Sequence, residues 1–258
     1  MKKIAIIFVA MLLIASPLFA AAVTDSTKPL GHMKFSASVE DNYIFNRDIK
    51  KGENRNKFEV EDTNQIYGKL AMGLTPYFNV YAKLGASDGG TIKDEDTSGN
   101  NLKIDTDYGF LWGVGVSGAK EIAEGWKLGL DTQFSMYKVG ADKIKYNSSD
   151  NATNVSGDIV NFEFQATPFV SKKFFLSEKY VIDPYLGVKF SHFTTETDDN
   201  IAYRASGVNR TTSWTYRGED YVGIVVGSDL EIDNKWALNF EGRFIDETAF
   251  TVGGAYKF

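Results

Sequence analysis

The sequence predicts an all-β chain: a closed antiparallel transmembrane β-barrel of about ten strands, short turns at one end and long loops at the other. Three observations carry this. Apolar and polar side chains alternate with a period of two through segment after segment, the mark of strands with two unlike faces. The connections between those segments alternate too, long then short. After the N-terminal segment no run of about 18 apolar residues occurs, so helical spans are excluded. A soluble sandwich does not sort its connections by length.

The ends and the composition bound the barrel. Residues 1–22 read as a secretory signal: Lys2 and Lys3 are a basic start, positions 4–14 are unbroken apolar, and Ala20, Ala21 and Ala22 offer small residues for cleavage. Residues 23–32 read as a short polar leader and residues 33–258 as the barrel. The chain has no cysteine, hence no disulfide framework and no lipid-anchor thiol. Loss of Lys2 and Lys3 moves the formal net charge from −6 to −8, an acidic balance that argues against nucleic acid as a partner. Mean hydropathy is slightly negative although the chain holds 19 Phe, 13 Tyr and 4 Trp, as expected when lipid-facing apolar residues alternate with lumen-facing polar ones.

In the first strand Met33, Phe35, Ala37 and Val39 oppose Lys34, Ser36, Ser38 and Glu40. Residues 46–62 are charged and unpatterned and read as a surface loop. Ile66, Leu70 and Met72 then oppose Tyr67 and Lys69; after a turn at Pro76, Val80, Ala82 and Leu84 oppose Tyr81 and Lys83. A polar loop over residues 87–106 precedes Phe110, Trp112, Val114 and Val116, which alternate with Gly109, Gly113 and Gly115. Trp126, Leu128 and Leu130 oppose Lys127 and Asp131, and past a polar stretch at 141–157 Phe162 and Phe164 oppose Glu163 and Gln165. Leu186, Val188 and Phe190 oppose Asp183, Tyr185 and Lys189; a loop at 194–219 follows. Val222, Ile224 and Val226 oppose Tyr221, Gly223 and Asp229, and Trp236, Phe240 and Phe244 oppose Glu241 and Arg243. A brief Asp246-Glu247 tip leads into the last strand. An even count returns both termini to one side.

That last strand sets Phe250, Val252, Gly254, Tyr256 and Phe258 on one face and Thr251, Gly253, Ala255 and Lys257 on the other. An alternating strand closing on a C-terminal Phe resembles the assembly signal of bacterial outer-membrane β-barrels. The block GLTPYFNVYAKLG at residues 73–85 resembles the periplasmic hairpins of small outer-membrane barrels of the opacity type, and the likeness runs over nearly all of the mature chain. It implies a monomer exported to the outer membrane of a Gram-negative bacterium, with leader and turns in the periplasm and loops outside. Implied partners are outer-membrane lipid, lipopolysaccharide and the barrel-assembly machinery.

Parity sends Glu40, Lys69, Lys83, Lys127, Asp131, Glu163, Asp183, Lys189, Glu241 and Arg243 into the lumen. Both signs are present, so an internal ion-pair network is expected, since an unpaired buried charge costs several kcal/mol. Inward Tyr67, Tyr81, Tyr185 and Tyr221 would fill much of a narrow interior. Outward aromatics fall near strand ends: Trp126, Trp236, Tyr256 and Phe258 at the turn side, and Tyr108, Phe110, Phe190, Phe244 and Phe250 at the loop side. In the loops, Arg47, Lys50, Lys51, Arg55 and Lys57 form a basic cluster suited to phosphates or acidic sugars. Asp94, Asp96, Ser98 and Gly99, with Asp105 at the twelfth place, resemble an EF-hand calcium loop. The bidentate Glu and the flanking helices are missing, so an acidic surface loop is expected rather than a metal site.

Enzymes of this architecture need a serine, histidine and acid cluster, as in lipid A deacylases, or a His–Asp pair facing acidic residues, as in omptin proteases. His32 and His192 are the only histidines, and His192 shares parity with lipid-facing Phe190. No enzyme, cofactor or metal is expected. The expected role is structural or adhesin-like contact with lipopolysaccharide, host or neighbouring-cell surfaces through the loops; the alternative is a narrow porin-like channel for small solutes. One prediction follows from the last strand. Deleting Phe258 should leave the protein degraded or stranded short of the membrane, read by cell fractionation and heat-modifiable gel migration; undiminished insertion would remove the assembly role.

Overall fold

The structure, a computed structural model, describes residues 27, 29–49, 55–96, 101–146, 150–205 and 207–258, without the side chains of residues 55–57, 96, 150 and 151. The segment read as a signal lies outside the described residues, as do Lys50, Lys51 and Ser98. Ten strands form the wall: β1 (Phe35–Asp48), β2 (Arg55–Gly73), β3 (Phe78–Ser87), β4 (Gly109–Ala123), β5 (Trp126–Tyr146), β6 (Thr153–Lys172), β7 (Tyr180–Ala205), β8 (Val222–Ile232), β9 (Trp236–Phe244) and β10 (Thr248–Lys257). Each pairs antiparallel with the next. The ring closes where β10 pairs with β1, from Ser36 opposite Lys257 up to Asn46 opposite Thr248. Closure leaves no sheet edge, which is what a bilayer demands of strands. No helix occurs among the described residues.

The period-two pattern sorts the wall. Leu70, Leu84, Phe110, Val114, Leu128, Leu186 and Phe240 are exposed on the outer face, while Lys69, Lys83, Asp131, Lys189 and Glu241 are buried inside. An outer face this apolar would be a very large patch on a soluble protein. At the turn side Trp236 and Tyr256 pack with ring centroids 4.7 Å apart, and Tyr256 meets Phe258 at 5.2 Å. Tyr108, Phe110, Phe190, Phe244 and Phe250 are exposed at the loop side. Tyr221 departs from its expected inward place: it is exposed and stacks on His192 with centroids 5.8 Å apart.

Four strands run to about twice the length of a membrane crossing. β2, β5, β6 and β7 hold 19, 21, 20 and 26 residues, where a tilted crossing takes roughly 9–11. The stretches expected as loops at 46–62, 87–106, 141–157 and 194–219 are largely strand. A hairpin of Thr91–Asp96 and Asn101–Thr106 pairs with the outer halves of β2 and β5, filling the gap where β3 and β4 do not reach. On the other side Val208–Thr212 and Thr215–Arg217 fold back on β7, and a bridge between Ile49 and Gly218 ties this flap to β1. The result is an outer storey above the membrane ring. Its interior is apolar: Ile49, Phe58, Val60, Ile92, Ile104, Ile144, Ile159, Phe193, Ile201 and Trp214 are buried in one cluster.

The physical reason these stretches read as loops is now plain. In water the polarity of the two faces is reversed, so the alternation consists of single apolar residues in charged runs. Asp62 also adopts positive φ (54°), and the β1 ladder shifts register between Ile44 and Asn46, which breaks the phase in β2 and β1. Each storey should respond separately. Ile159→Ala should remove about 2–5 kcal/mol from the outer core and open the outer storey to protease while a membrane-protected ring survives. Identical digestion of the variant and the parent would mean the outer core does not hold that storey.

Candidate functional site

The lumen gathers the chain's buried charge, because every wall strand sends alternate side chains inward. At membrane depth Lys69 meets Glu40 at 2.6 Å, and Lys83 donates to Gln133 at 2.6 Å. Tyr81 donates to Asp131 at 2.9 Å and Tyr185 to Glu241 at 2.8 Å. The Lys83 and Lys69 ammonium groups also lie 4.9 and 5.1 Å from the Tyr67 and Tyr81 ring centroids, a cation–π arrangement. The Tyr81 ring packs against Gly115, where an added Cβ would sit 2.3 Å from it, so that wall position must stay bare. Towards the turn end Lys127 meets Asp183 at 2.9 Å, and Asn239 donates to Asp229 at 2.6 Å.

Above this lies the densest cluster. The short β9–β10 connection does not stand out as a tip. It folds inward: Ile245 takes φ 87°, its side chain outward, and Asp246 and Glu247 are buried in the lumen. A positive φ at a β-branched residue is strained, and such strain persists only where surrounding contacts hold it. Here Lys189, 0 % exposed, reaches Glu247 at 2.5 Å, Asp246 at 2.8 Å and Glu163 at 3.2 Å. Arg47 bridges Glu163 at 3.0 Å and also pairs with Glu247, while Arg243 Nε meets Glu247 at 2.6 Å. Glu247 thus serves three cations. Arg47 in turn stacks 4.1 Å above the Phe193 ring, the floor of the apolar outer core. Between the cluster and the membrane-depth pairs the cavity lined by Asn42, Lys83, Gln133 and Arg243 measures about 10 Å³, roughly the space of one water molecule.

No protein-family model and no curated protein sequence matches the chain. Solved structures do. The outer membrane protease OmpT from Escherichia coli aligns with TM-score 0.52 at 12 % identity, covering 87 % of this chain and 97 % of that one. The translocator domain of the autotransporter NalP from Neisseria meningitidis aligns with TM-score 0.49 at 12 % identity over 92 % of each chain. The fold is that of an outer-membrane β-barrel. At such identity the likeness speaks for the architecture alone.

Within this barrel all of the expected lumen charges, Glu40, Lys69, Lys83, Lys127, Asp131, Glu163, Asp183, Lys189, Glu241 and Arg243, face inward. Arg47 does not belong to a loop cluster; it is an interior cation, because β1 runs on to Asp48. Arg55 and Lys57 lie in β2, opposite Asp96 and Glu95. Asp94 and Asp105 cannot share an ion. They fall on opposite faces of the outer hairpin, with Asp94 buried beside Ile92 and Asp105 accepting from Thr91 at 2.9 Å. On the same hairpin the Lys93 ammonium reaches Glu61, and that hydrogen bond raises its pKa above the ordinary lysine value. The two histidines sit at opposite ends: His32 donates to the Leu74 carbonyl at 2.8 Å by the turns, and His192 stacks on Tyr221 outside. Asp246, Glu247 and Arg47 were missed as lumen residues. The available signal was the unusual shortness of the β9–β10 connection.

Removing one partner of the dense cluster should be costly. Glu247→Ala leaves three buried cations short of a shared carboxylate and should cost about 3–5 kcal/mol, read as a lowered denaturant midpoint. Glu61→Ala, at the half-exposed Lys93 pair, should cost about 1 kcal/mol or less. Equal effects at the two sites would mean the cluster does not brace the barrel.

Proposed function

We propose that this is an integral outer-membrane protein that works as a rigid, closed platform, its outer storey making contacts with lipopolysaccharide, host or neighbouring-cell surfaces. The observation that carries the reading is the crowded interior, where the cavity lined by Asn42, Lys83, Gln133 and Arg243 measures only about 10 Å³ and an apolar core lies above the charge layers. A diffusion pore needs a continuous wet path, and ten strands enclose little room for one. The outer storey keeps exposed Lys143, Lys145, Arg204 and Arg217, cations suited to lipid A phosphates or acidic sugars. They take over the part first expected of the loop cluster at residues 47–57. The reading includes no catalytic step, no cofactor and no nucleic acid, with the barrel acting as a monomer.

The competing role is a narrow channel for small solutes. Recording from purified protein in planar bilayers separates the two: the closed platform gives no steady unitary conductance, whereas reproducible steps would overturn it. On the platform reading, reversing Lys143 and Arg204 to Glu weakens retention on immobilised lipopolysaccharide, with a salt sensitivity below that of the parent. Unchanged retention would remove those cations from the contact.

A further inference from the structure

The turn end of the lumen holds something the wall does not supply. The leader, which reads in the sequence as a polar overhang, runs back into the mouth. Thr27 is 0 % exposed; its hydroxyl donates to Asp229 on β8, and its carbonyl accepts from Lys127 on β5 at 3.0 Å. The Leu30 amide donates to Asn79 on β3 at 3.0 Å, and its side chain is buried beside Ala71 and Tyr81. β3, β5 and β8 lie on different sides of the ring, so Thr27 and Leu30 reach well-separated parts of the wall.

The reversal that sends the leader inward is built into the chain. Gly31 takes φ +92° and Met33 φ 58°, which turns the backbone sharply just before β1. The turn seats on Gly73 at the foot of β2, where an added Cβ would lie 1.9 Å from the Gly31 carbonyl oxygen. Two backbone bonds of 2.8 Å, Met33 to Gly73 and Gly73 to Lys34, fix it there. A pocket of about 430 Å³ opens beside Pro29 and Leu30 towards the β8–β9 turn at Asp233 and Lys235.

We propose that the turn-end mouth is a peptide-binding vestibule and that the leader, through Thr27 and Leu30, is its built-in occupant, a plug hinged at Gly31. Asp229 and Lys127 read the hydroxyl and carbonyl of Thr27, Asn79 reads the backbone at Leu30, and Leu30 fills the apolar step. The plug closes the lumen from the turn side, independently of what the outer storey contacts. The ties lie at the ring's end, so the plug should open locally at far lower cost than the barrel unfolds.

The absence of native cysteine makes the test clean. Ser171→Cys places a thiol on the inner face beside Lys127, at the mouth. Gln133→Cys places one at the filled mid-lumen. In folded, detergent-solubilised protein, a charged thiosulfonate reagent should modify Cys at 171 slowly. Adding Thr27→Ala and Leu30→Asp should raise that rate about tenfold or more, with Cys at 133 still protected. Gly73→Ala, which displaces the hinge without touching the plug's own side chains, should raise it likewise. Equal rates at 171 with and without the leader substitutions would overturn the plug. So would parallel deprotection at 133, which would show unfolding of the barrel instead.

Discussion

Everything in this molecule depends on the closing of β10 on β1. In hydrocarbon each unpaired backbone amide or carbonyl costs several kcal/mol, so a sheet crosses a membrane only when its two edges find each other. The register from Ser36–Lys257 to Asn46–Thr248 does this. Once the ring exists, the alternation of side chains has no freedom left: one set faces lipid and the other a narrow, enclosed interior. The polar set is large and charged, and the interior is too small to hydrate it. Ion pairing inside the barrel is therefore a consequence of closure, not an addition to it.

The same strands meet two solvents, and that explains the two storeys. At membrane depth the outside is apolar and the inside polar. Where β2, β5, β6 and β7 emerge into water the preference reverses, and Phe58, Val60, Ile144, Ile159 and Ile201 turn inward to form a core of the soluble kind. In β6 and β7 the inward parity runs on unchanged and only its chemistry switches, from Glu163 to Ile159 and from Lys189 to Ile201, whereas β2 changes phase at Asp62, which takes positive φ, and β1 between Ile44 and Asn46. The dense cluster around Glu247 sits at the junction. It closes the polar layer from above, and Arg47, with its charge on Glu247 and its face on Phe193, belongs to both layers.

The ring was largely legible in the sequence because lipid imposes one rule on it: period two, apolar outward, turns short on one side. The inward places of Lys69, Asp131, Lys189 and Glu241 came from parity alone. The outer storey was not legible, since Ile92 or Ile144 in a run of charged residues looks like any loop, and the strand phase changes unseen between Glu61 and Thr63. The inward fold of Asp246 and Glu247 needed a φ of 87° at Ile245, a conformation that isoleucine avoids, so no local preference announced it. Tyr221 failed for a related reason. It stands just before β8, and the alternation that governs a strand does not govern the residue before it.

The leader shows the same logic at the other end. A barrel interior lined with Lys127, Asp183 and Asp229 needs partners at its mouth as well as in its middle, and water alone leaves the mouth open. Thr27 supplies a donor to Asp229 and an acceptor to Lys127 from a single residue, which a wall strand could do only by widening the ring. A covalently attached segment also needs little entropy of association, since the hinge at Gly31 holds it close to its site at high effective concentration. Among the described residues the polar middle layer lies between an apolar core above and the tethered leader residues below. A stiff wall around a filled core then holds the outer storey in one shape, and a surface presented in one shape binds without the ordering cost that a mobile loop incurs.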